Sequence, residues 1–331
     1  MFDFIPDYLY LFVFGLILLI KGGDWFVDAA SGIAKRFKLP ELLIGATVVS
    51  IGTTLPEVMT SASAALTGHG EIAYGNAIGS IICNTSLIAA TTVAIKPGKA
   101  DRKALVFPVC TFFAVALFYA ANAYFFGEFS LVSGIILLLC FVIYMVVNVL
   151  NMKKGDTEAS LELEEVKAQE EAVGGSLIKD IVMIIVGALV IALGADLLVE
   201  SSTTIAHMIG LPESVIGLTI VALGTSLPEL VTAITSLLKG HGALSLGNII
   251  GANIFNLVLV SGVSIVLSPF PVPESSTLFG VNASLVLDIP VMLAVMGILT
   301  IPAILKQKLS RWQGITLLAI YVAFCTVQFV M

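Results

Sequence analysis

The sequence contains two versions of one segment: GATVVSIGTTLPEVMTSASAALTGHGEIAYGNAIGSIICN at 45–84 and GLTIVALGTSLPELVTAITSLLKGHGALSLGNIIGANIFN at 217–256. A shift of 172 positions aligns 15–84 with 187–256 without a gap, and 29 of the 70 aligned residues are identical. Self-similarity at a fixed offset indicates an internal duplication. We therefore expect the two halves of the chain to contain the same elements in the same order.

The composition indicates that both copies lie in a lipid bilayer. Hydrophobic residues make up 58% of the 331 residues and charged residues 12%, about half the charged share of a typical soluble domain. A helix needs roughly 20 mostly apolar residues to cross a membrane. We predict an all-α polytopic protein whose ten spans are 8–31, 41–66, 72–95, 104–124, 130–150, 177–205, 213–238, 243–267, 284–305 and 312–331.

The basic residues predict the orientation of these spans. Fifteen of the 16 Lys and Arg residues lie at loops that follow the first, third, fifth, seventh and ninth spans. The positive-inside rule assigns those loops to the cytoplasm and both termini to the outside of the cell membrane. Five spans per copy then make two inverted repeats, at 1–150 and 177–331, joined by an acidic cytoplasmic linker at 151–176. Secondary transporters of this plan bind their ions at the repeat interface.

The densest polar motif lies in the middle of one span of each copy. It reads GTTLPE at 52–57 and GTSLPE at 224–229. A glutamate at the bilayer centre costs a few kcal/mol unless it faces a polar cavity, so it indicates a functional site. Proline lacks an N–H and clashes with the carbonyl four residues earlier. We therefore expect Pro56 and Pro228 to loosen each helix around the glycine that begins the motif.

Together the two motifs predict an all-oxygen site with a charge of −2. Glu57 and Glu229 supply the carboxylates. The hydroxyls come from Thr53, Thr54, Thr225 and Ser226. Such a set suits a hard cation, since Ca²⁺ prefers six to eight oxygen ligands in flexible geometry. No imidazole or thiolate belongs to the set, which disfavours zinc and copper. The predicted metal ligands are Glu57, Glu229, Thr53 and Thr225.

A second repeated motif reads GNxxGSxxxN at 75–84 and GNxxGAxxxN at 247–256. Its glycines form small-xxx-small pairs, which predict close helix approach. Ser80, Asn84 and Asn256 need polar partners in hydrocarbon, and we interpret them as cation ligands, with an interhelical hydrogen bond as the alternative. The first asparagine of each motif lies nearer a helix start, where the hydrogen bond is the favoured role.

Acidic residues also recur in the first helix of each copy, as Asp24 with Asp196 and Asp28 with Glu200. We expect them to pair with basic groups near a membrane face, and Lys21 is the candidate partner within the first copy. Direct ion binding is the alternative.

At these paired motifs the chain resembles the calcium/cation antiporter superfamily, specifically its sodium/calcium exchanger branch of the prokaryotic type. The resemblance implies that Glu57 and Glu229 are the central calcium ligands, shared with sodium. It implies flanking sodium sites at the carbonyls of Ser50 and Ala222. It also implies further ligands from Thr53, Thr54, Thr225, Ser226, Ser80, Asn84 and Asn256, and a mechanism of alternating access in which helices 1 and 6 slide past the others.

Two positions depart from the family pattern. Ala252 stands where the first copy has Ser80, so one hydroxyl is missing. Asn256 stands where some relatives carry an aspartate, which leaves the site less negative. Ion stoichiometry and potassium dependence therefore do not follow from the resemblance.

The rival functions are a proton/calcium or other cation antiporter, an intramembrane enzyme and a channel. Proton-coupled relatives tend to carry an acid where this chain has Gly79-Ser80 and Gly251-Ala252. An enzyme that used the two glutamates as acid and base would need a nucleophile or metal, and no His or Cys is repeated inside the spans. We expect no enzymatic activity, no cofactor, no nucleic acid and no obligate protein partner. The expected partners are Ca²⁺, Na⁺ and the lipid bilayer.

Overall fold

The computed structural model describes residues 7–37, 41–68, 70–161, 177–208, 222–274, 277–278 and 280–330. Helices dominate this part of the chain. In the first half they are α1 (Asp7–Arg36), α2 (41–66), α3 (70–95), α4 (102–126) and α5 (Leu131–Leu161). In the second half they are α6 (Leu177–Met208), α7 (Ala222–Thr225 and Leu227–Leu238), α8 (242–267), α9 (284–306) and α10 (Arg311–Val330).

Seven of the described helices are long and apolar enough to cross a membrane. They are Leu42–Leu66, Gly70–Ile95, Arg102–Phe126, Leu131–Leu150, Leu177–Gly194, Gly242–Leu267 and Ser284–Lys306. On α5 and α6 large apolar side chains such as Leu139 and Leu189 are more than half exposed, as expected where lipid rather than water surrounds the protein. The predicted all-α membrane class is confirmed, and the full count of ten spans stays a prediction.

Helix α5 is longer than the sequence predicted, because it ends at Leu161 rather than at 150. Six of the 11 residues at 151–161 are Met, Lys, Glu, Ala or Leu, which are good helix formers. The polar composition marked the end of the apolar span but not the end of the helix. The rest of the predicted linker lies outside the described residues.

Among the seven described spans α8 is the most buried, with 83% of its most apolar stretch inside the protein, whereas the share for α6 is 17%. It packs against α2, α3, α4, α5 and α7. Helix α1 instead runs along α6. The molecule therefore has a central group of helices around α8 and a peripheral α1–α6 pair.

Glycines allow the closest approach of α8 to α2, as the small-xxx-small pattern predicted. A Cβ built on Gly247 would overlap the carbonyl oxygen of Leu42, and one built on Gly251 would overlap the Ser50 hydroxyl. No described atom lies within 4 Å of a Cβ built on Gly75 or Gly79. The second-copy counterpart of the α2 start falls mostly in 209–221, outside the described residues.

Short backbone pairings join loops of the two halves. Between α3 and α4, Lys99 pairs with Lys308 of the α9–α10 loop, and the Ala100 N–H donates to Gln307 O at 2.9 Å. Between α4 and α5, strand β1 (Glu128–Phe129) pairs antiparallel with β2 (Phe270–Pro271) of the α8–α9 loop. A separate hairpin joins β3 (Thr277–Leu278) to β4 (Val281–Asn282).

The two copies share one tight turn between their second and third helices. Gly68 and Gly240 occupy matching positions there, with φ of 81° and 86°, a conformation that residues with a side chain rarely adopt. His241 lies in this turn, and its backbone N–H donates to Ser236 O at 2.7 Å. The matching residue of the first copy, His69, lies outside the described residues.

Candidate cation-binding site

Glu57 of α2 and Glu229 of α7 are both completely buried, at 0% exposure. The helix around them is loosened only in the second copy, where α7 breaks at Ser226 and starts again at Leu227. In the first copy the helix Ser50–Leu66 continues through Pro56, so the expected loosening around Gly52 is wrong there. Proline still has no N–H, so the Gly52 carbonyl has no backbone donor four residues ahead.

Two hydrogen bonds connect the repeated motifs of the two copies. The Thr54 hydroxyl of the first copy donates to Glu229 Oε1 of the second at 3.4 Å. The Ser226 hydroxyl of the second copy donates to Ser80 Oγ of the first at 3.5 Å. Each contact joins the two halves of the chain, so the repeated motifs meet at one place between them.

Several polar atoms at this place are buried without a hydrogen-bond partner among the described residues. They are both carboxylate oxygens of Glu57, Oε2 of Glu229, and both amide atoms of Asn84 and Asn256. A buried polar group without a partner costs about 1–3 kcal/mol, and a charged group more. Such groups persist where a ligand satisfies them. This arrangement fits a cation better than any other ligand, since most of the atoms are oxygens and two groups are carboxyls.

The two unpartnered asparagines lie at matching irregularities in their helices. A π-helical segment begins at Asn84 in α3 and another at Asn256 in α8. Isolated π-helical turns are frequent at functional sites because they redirect side chains and disturb the regular hydrogen bonds. Helix α2 packs against the segment that begins at Asn256, and α7 packs against the one that begins at Asn84.

The remaining predicted ligands have other contacts. Ser50 is buried, its hydroxyl donates to Gly45 O at 2.7 Å, and its carbonyl oxygen lies 3.5 Å from Thr53 Oγ1. Thr225 is partly buried. Ala222 begins α7, and its surroundings fall outside the described side chains. Ala252 is fully buried and contributes no oxygen.

Asn76 and Asn248 make the interhelical hydrogen bonds that the sequence favoured. The Thr53 hydroxyl donates to Asn248 Oδ1, and the Thr225 hydroxyl donates to Asn76 Oδ1, each at 3.2 Å. The sequence did not reveal which residues these asparagines contact. The sequence did contain a hint of these contacts, because the threonine and the asparagine are both identical in the two copies.

The acidic residues of α1 do pair with a basic group, but the expected partner was wrong. The Lys239 ammonium, just beyond α7, lies 2.8 Å from Asp28 and 3.2 Å from Asp24. Partial burial lowers the pKa of Lys239, but the hydrogen bonds and charges of Asp28 and Asp24 outweigh this and raise the pKa above its usual value. The side chains of Asp196 and Glu200 are outside the described set.

The sodium/calcium exchanger protein family matches this chain over residues 8–150 and 179–330. The chain belongs to that family. Among its relatives, the sodium/calcium exchanger MaX1 of Methanosarcina acetivorans is 33% identical, over 96% of this chain and 97% of the relative. The membrane protein MJ0091 of Methanocaldococcus jannaschii is 35% identical, over 94% of both chains.

A solved structure of the sodium-calcium exchanger NCX_Mj, soaked with Na⁺ and Sr²⁺, has a similar fold. It superposes with a TM-score of 0.78 at 32% identity, over 96% of each chain. These relatives of the exchanger family are named as exchangers or as a membrane protein, and not as enzymes. Family membership and the apolar helices make this exchanger-family chain a multi-pass membrane protein.

Proposed function

We propose that the chain is a secondary active antiporter that exchanges Na⁺ for Ca²⁺ across the membrane by alternating access. One observation carries the proposal: Glu57 and Glu229 are fully buried and retain unpartnered carboxylate oxygens where the two motifs meet. Two carboxylates can balance either one Ca²⁺ or two Na⁺. Competition between the two ions for one charged site would couple their movements in opposite directions.

The proposed cation-binding residues are those of the two repeated motifs. Glu57, Glu229, Thr53 and Thr225 would bind the metal directly, with further oxygens from Thr54, Ser226, Ser80, Asn84 and Asn256. The carbonyls of Ser50 and Ala222 would hold flanking Na⁺. Ca²⁺ and Na⁺ are substrates in this scheme and not cofactors.

We further propose that the ten helices form two inverted repeats, with both termini outside the cell. The loop pairings support this arrangement. The third loop of the first half (α3–α4) pairs with the fourth loop of the second (α9–α10), and the fourth loop of the first half (α4–α5) pairs with the third loop of the second (α8–α9). Copies of equal orientation would have third loops on one side and fourth loops on the other. Only opposite orientations bring a third and a fourth loop to the same membrane face.

Flux through reconstituted vesicles tests the proposed exchange. Vesicles loaded with Na⁺ and diluted into Na⁺-free medium should accumulate radiolabelled Ca²⁺ when they contain the purified protein. Glu57→Gln and Glu229→Gln should each abolish uptake, because each removes one of the two charges that a divalent ion needs. Both variants should still elute as folded protein from size exclusion, since glutamine keeps the shape of the buried side chain.

The rival antiporter makes a different prediction in the same vesicles. A proton/calcium exchanger would accumulate Ca²⁺ under an imposed pH gradient without Na⁺. If a pH gradient without Na⁺ drove as much Ca²⁺ uptake as the Na⁺ gradient does, the result would favour a proton/calcium exchanger over a sodium/calcium exchanger. Absence of any gradient-driven uptake would contradict antiport altogether.

A further inference from the structure

Two hydrogen bonds connect the halves of the chain in a reciprocal way. Thr53 of the first copy donates to Asn248 of the second, and Thr225 of the second copy donates to Asn76 of the first, both at 3.2 Å. The shift of 172 positions that aligns the copies also converts one pair into the other. The same contact is therefore made twice, once from each direction.

Each asparagine also contacts the glutamate-bearing helix of its own copy. Asn76 Nδ2 donates to the backbone carbonyl of Glu57 at 3.2 Å. Asn248 Nδ2 donates to Thr232 Oγ1 at 2.8 Å. The Thr232 hydroxyl in turn lies 2.9 Å from the Pro228 carbonyl oxygen and 3.0 Å from that of Glu229. Each amide thus links one carboxylate helix to the threonine of the opposite copy.

These contacts fix the direction of the threonine lone pairs. A hydroxyl has one proton and two acceptor lone pairs. For Thr53 the amide oxygen is nearer than the other acceptor, the Ser50 carbonyl at 3.5 Å. With the proton directed at the amide oxygen, the lone pairs of Thr53 and Thr225 are left to point elsewhere. A cation can only bind a lone pair, so the amide oxygen holds each hydroxyl in the orientation that a cation requires.

We infer that Asn248 and Asn76 are positioning residues that set the sodium affinity of the transport site without touching the ion. The inference rests on the proposed function. Na⁺ carries a single charge and depends strongly on well-directed neutral oxygens, whereas Ca²⁺ is held mainly by the two carboxylates. Loss of the amide should therefore weaken Na⁺ binding more than Ca²⁺ binding. Asn248 should have the larger effect, since it is 1% exposed, whereas Asn76 is only partly buried.

The test compares two nearly isosteric variants at one position. Asn248→Leu removes the acceptor, while Asn248→Asp keeps it. In vesicles that exchange Na⁺ for Ca²⁺, Asn248→Leu should raise the Na⁺ concentration for half-maximal flux roughly fivefold, as expected for one lost hydrogen bond. The Ca²⁺ concentration for half-maximal flux should change less than twofold. Asn248→Asp should restore the Na⁺ value relative to the leucine variant.

Asn253 on the same helix provides a matched control. It is fully buried, and its amide donates to Thr85 at 2.7 Å, away from the two threonines. Asn253→Leu should lower the melting temperature as Asn248→Leu does, but it should leave the Na⁺ concentration for half-maximal flux unchanged. Equal Na⁺ shifts in both leucine variants, or equal shifts for Na⁺ and Ca²⁺ in Asn248→Leu, would overturn the inference.

The mirrored pair supplies a second test if Asn248→Leu does not fold. Asn76→Leu removes the acceptor from Thr225 and should shift the Na⁺ value in the same direction, and an unchanged value contradicts the inference. Failure of the proposed function is a separate outcome. In that case the unmodified protein shows no sodium-driven Ca²⁺ flux, whereas failure of the positioning role leaves that flux intact.

Discussion

The buried carboxylate of Glu57 has no partner among the described residues. Removing a charge from water costs several kcal/mol, and a paired opposite charge must compensate. The described ion pairs are all elsewhere: Lys239 contacts α1, and Arg36 contacts Asp180. At the residue scale, the lack of a cationic partner among the described residues supports the proposal that the two glutamates bind a metal ion.

Ala252 gives a prediction at the same scale. It is fully buried and matches Ser80, whose hydroxyl contacts Ser226. The shift of 172 positions relates Ser80 to position 252 and Ser226 to Thr54. A serine at 252 would therefore face Thr54, which donates to Glu229. We expect Ala252→Ser to tighten Ca²⁺ binding a few-fold because it adds an oxygen ligand, roughly the value of one hydrogen bond. Half-saturation of Ca²⁺ uptake measures this.

The converse change, Ser80→Ala, is the control for that prediction, because it removes the equivalent hydroxyl from the other half. It should weaken Ca²⁺ uptake by a similar factor. If both variants leave half-saturation unchanged, neither position supplies a ligand oxygen.

At the scale of elements, the contact between α2 and α8 holds the site together. The Gly247 and Gly251 backbones lie directly against Leu42 and Ser50, and the same stretch of α8 carries Asn248 and Asn256. Close packing leaves no room to shift one helix without displacing polar groups of the other. The geometry of the site therefore depends on the distance between these two helices.

Gly247→Ala tests this contact against Gly75→Ala. The added methyl group of the first variant would overlap the Leu42 carbonyl, which is backbone and cannot rotate away, whereas the second meets no described atom within 4 Å. Overpacking typically costs about 1–3 kcal/mol. Gly247→Ala should lower the melting temperature in detergent clearly more than Gly75→Ala does. Equal melting temperatures would contradict the close approach.

At the scale of the whole molecule, the loop pairings relate the two halves. Lys99 and Lys308 form an antiparallel bridge, and Cα atoms of such pairs lie about 4.5–5.5 Å apart, within the range of a disulfide. Both residues belong to loops that the positive charges assign to the cytoplasm. The Lys99–Lys308 pair therefore tests both the contact between the two halves and the side of the membrane on which these loops lie.

A double-cysteine variant, Lys99→Cys with Lys308→Cys, makes that prediction measurable when the four native cysteines are replaced. A disulfide should form under mild oxidation and appear as a mobility shift between protease-cut halves. The reduced thiols should react with a membrane-impermeant maleimide in inside-out vesicles and not in intact cells. Labelling from the outside would reverse the proposed topology, and failure to crosslink would contradict the pairing.

Many features followed from the sequence because they depend on local composition or on the duplication. Apolar length predicted membrane helices, and the small-residue spacing predicted close helix approach at Gly247 and Gly251. The repeated GT[TS]LPE motif singled out Glu57 and Glu229, since an ionisable group inside an apolar span must face a polar cavity or a polar partner. All of these are properties of a few neighbouring residues or of identity between copies.

Contacts between distant residues were decided only by the tertiary structure. Thr53 contacts Asn248, 195 positions away in sequence, and Lys239 contacts Asp28, 211 positions away. The local sequence around these residues does not predict which partner each will contact. Pro56 and Pro228 have the same neighbours in sequence, yet only the second copy breaks its helix. Helix packing selects among the conformations that a local sequence permits, so the chain determined which residues are polar and buried, while the fold determined which of them meet.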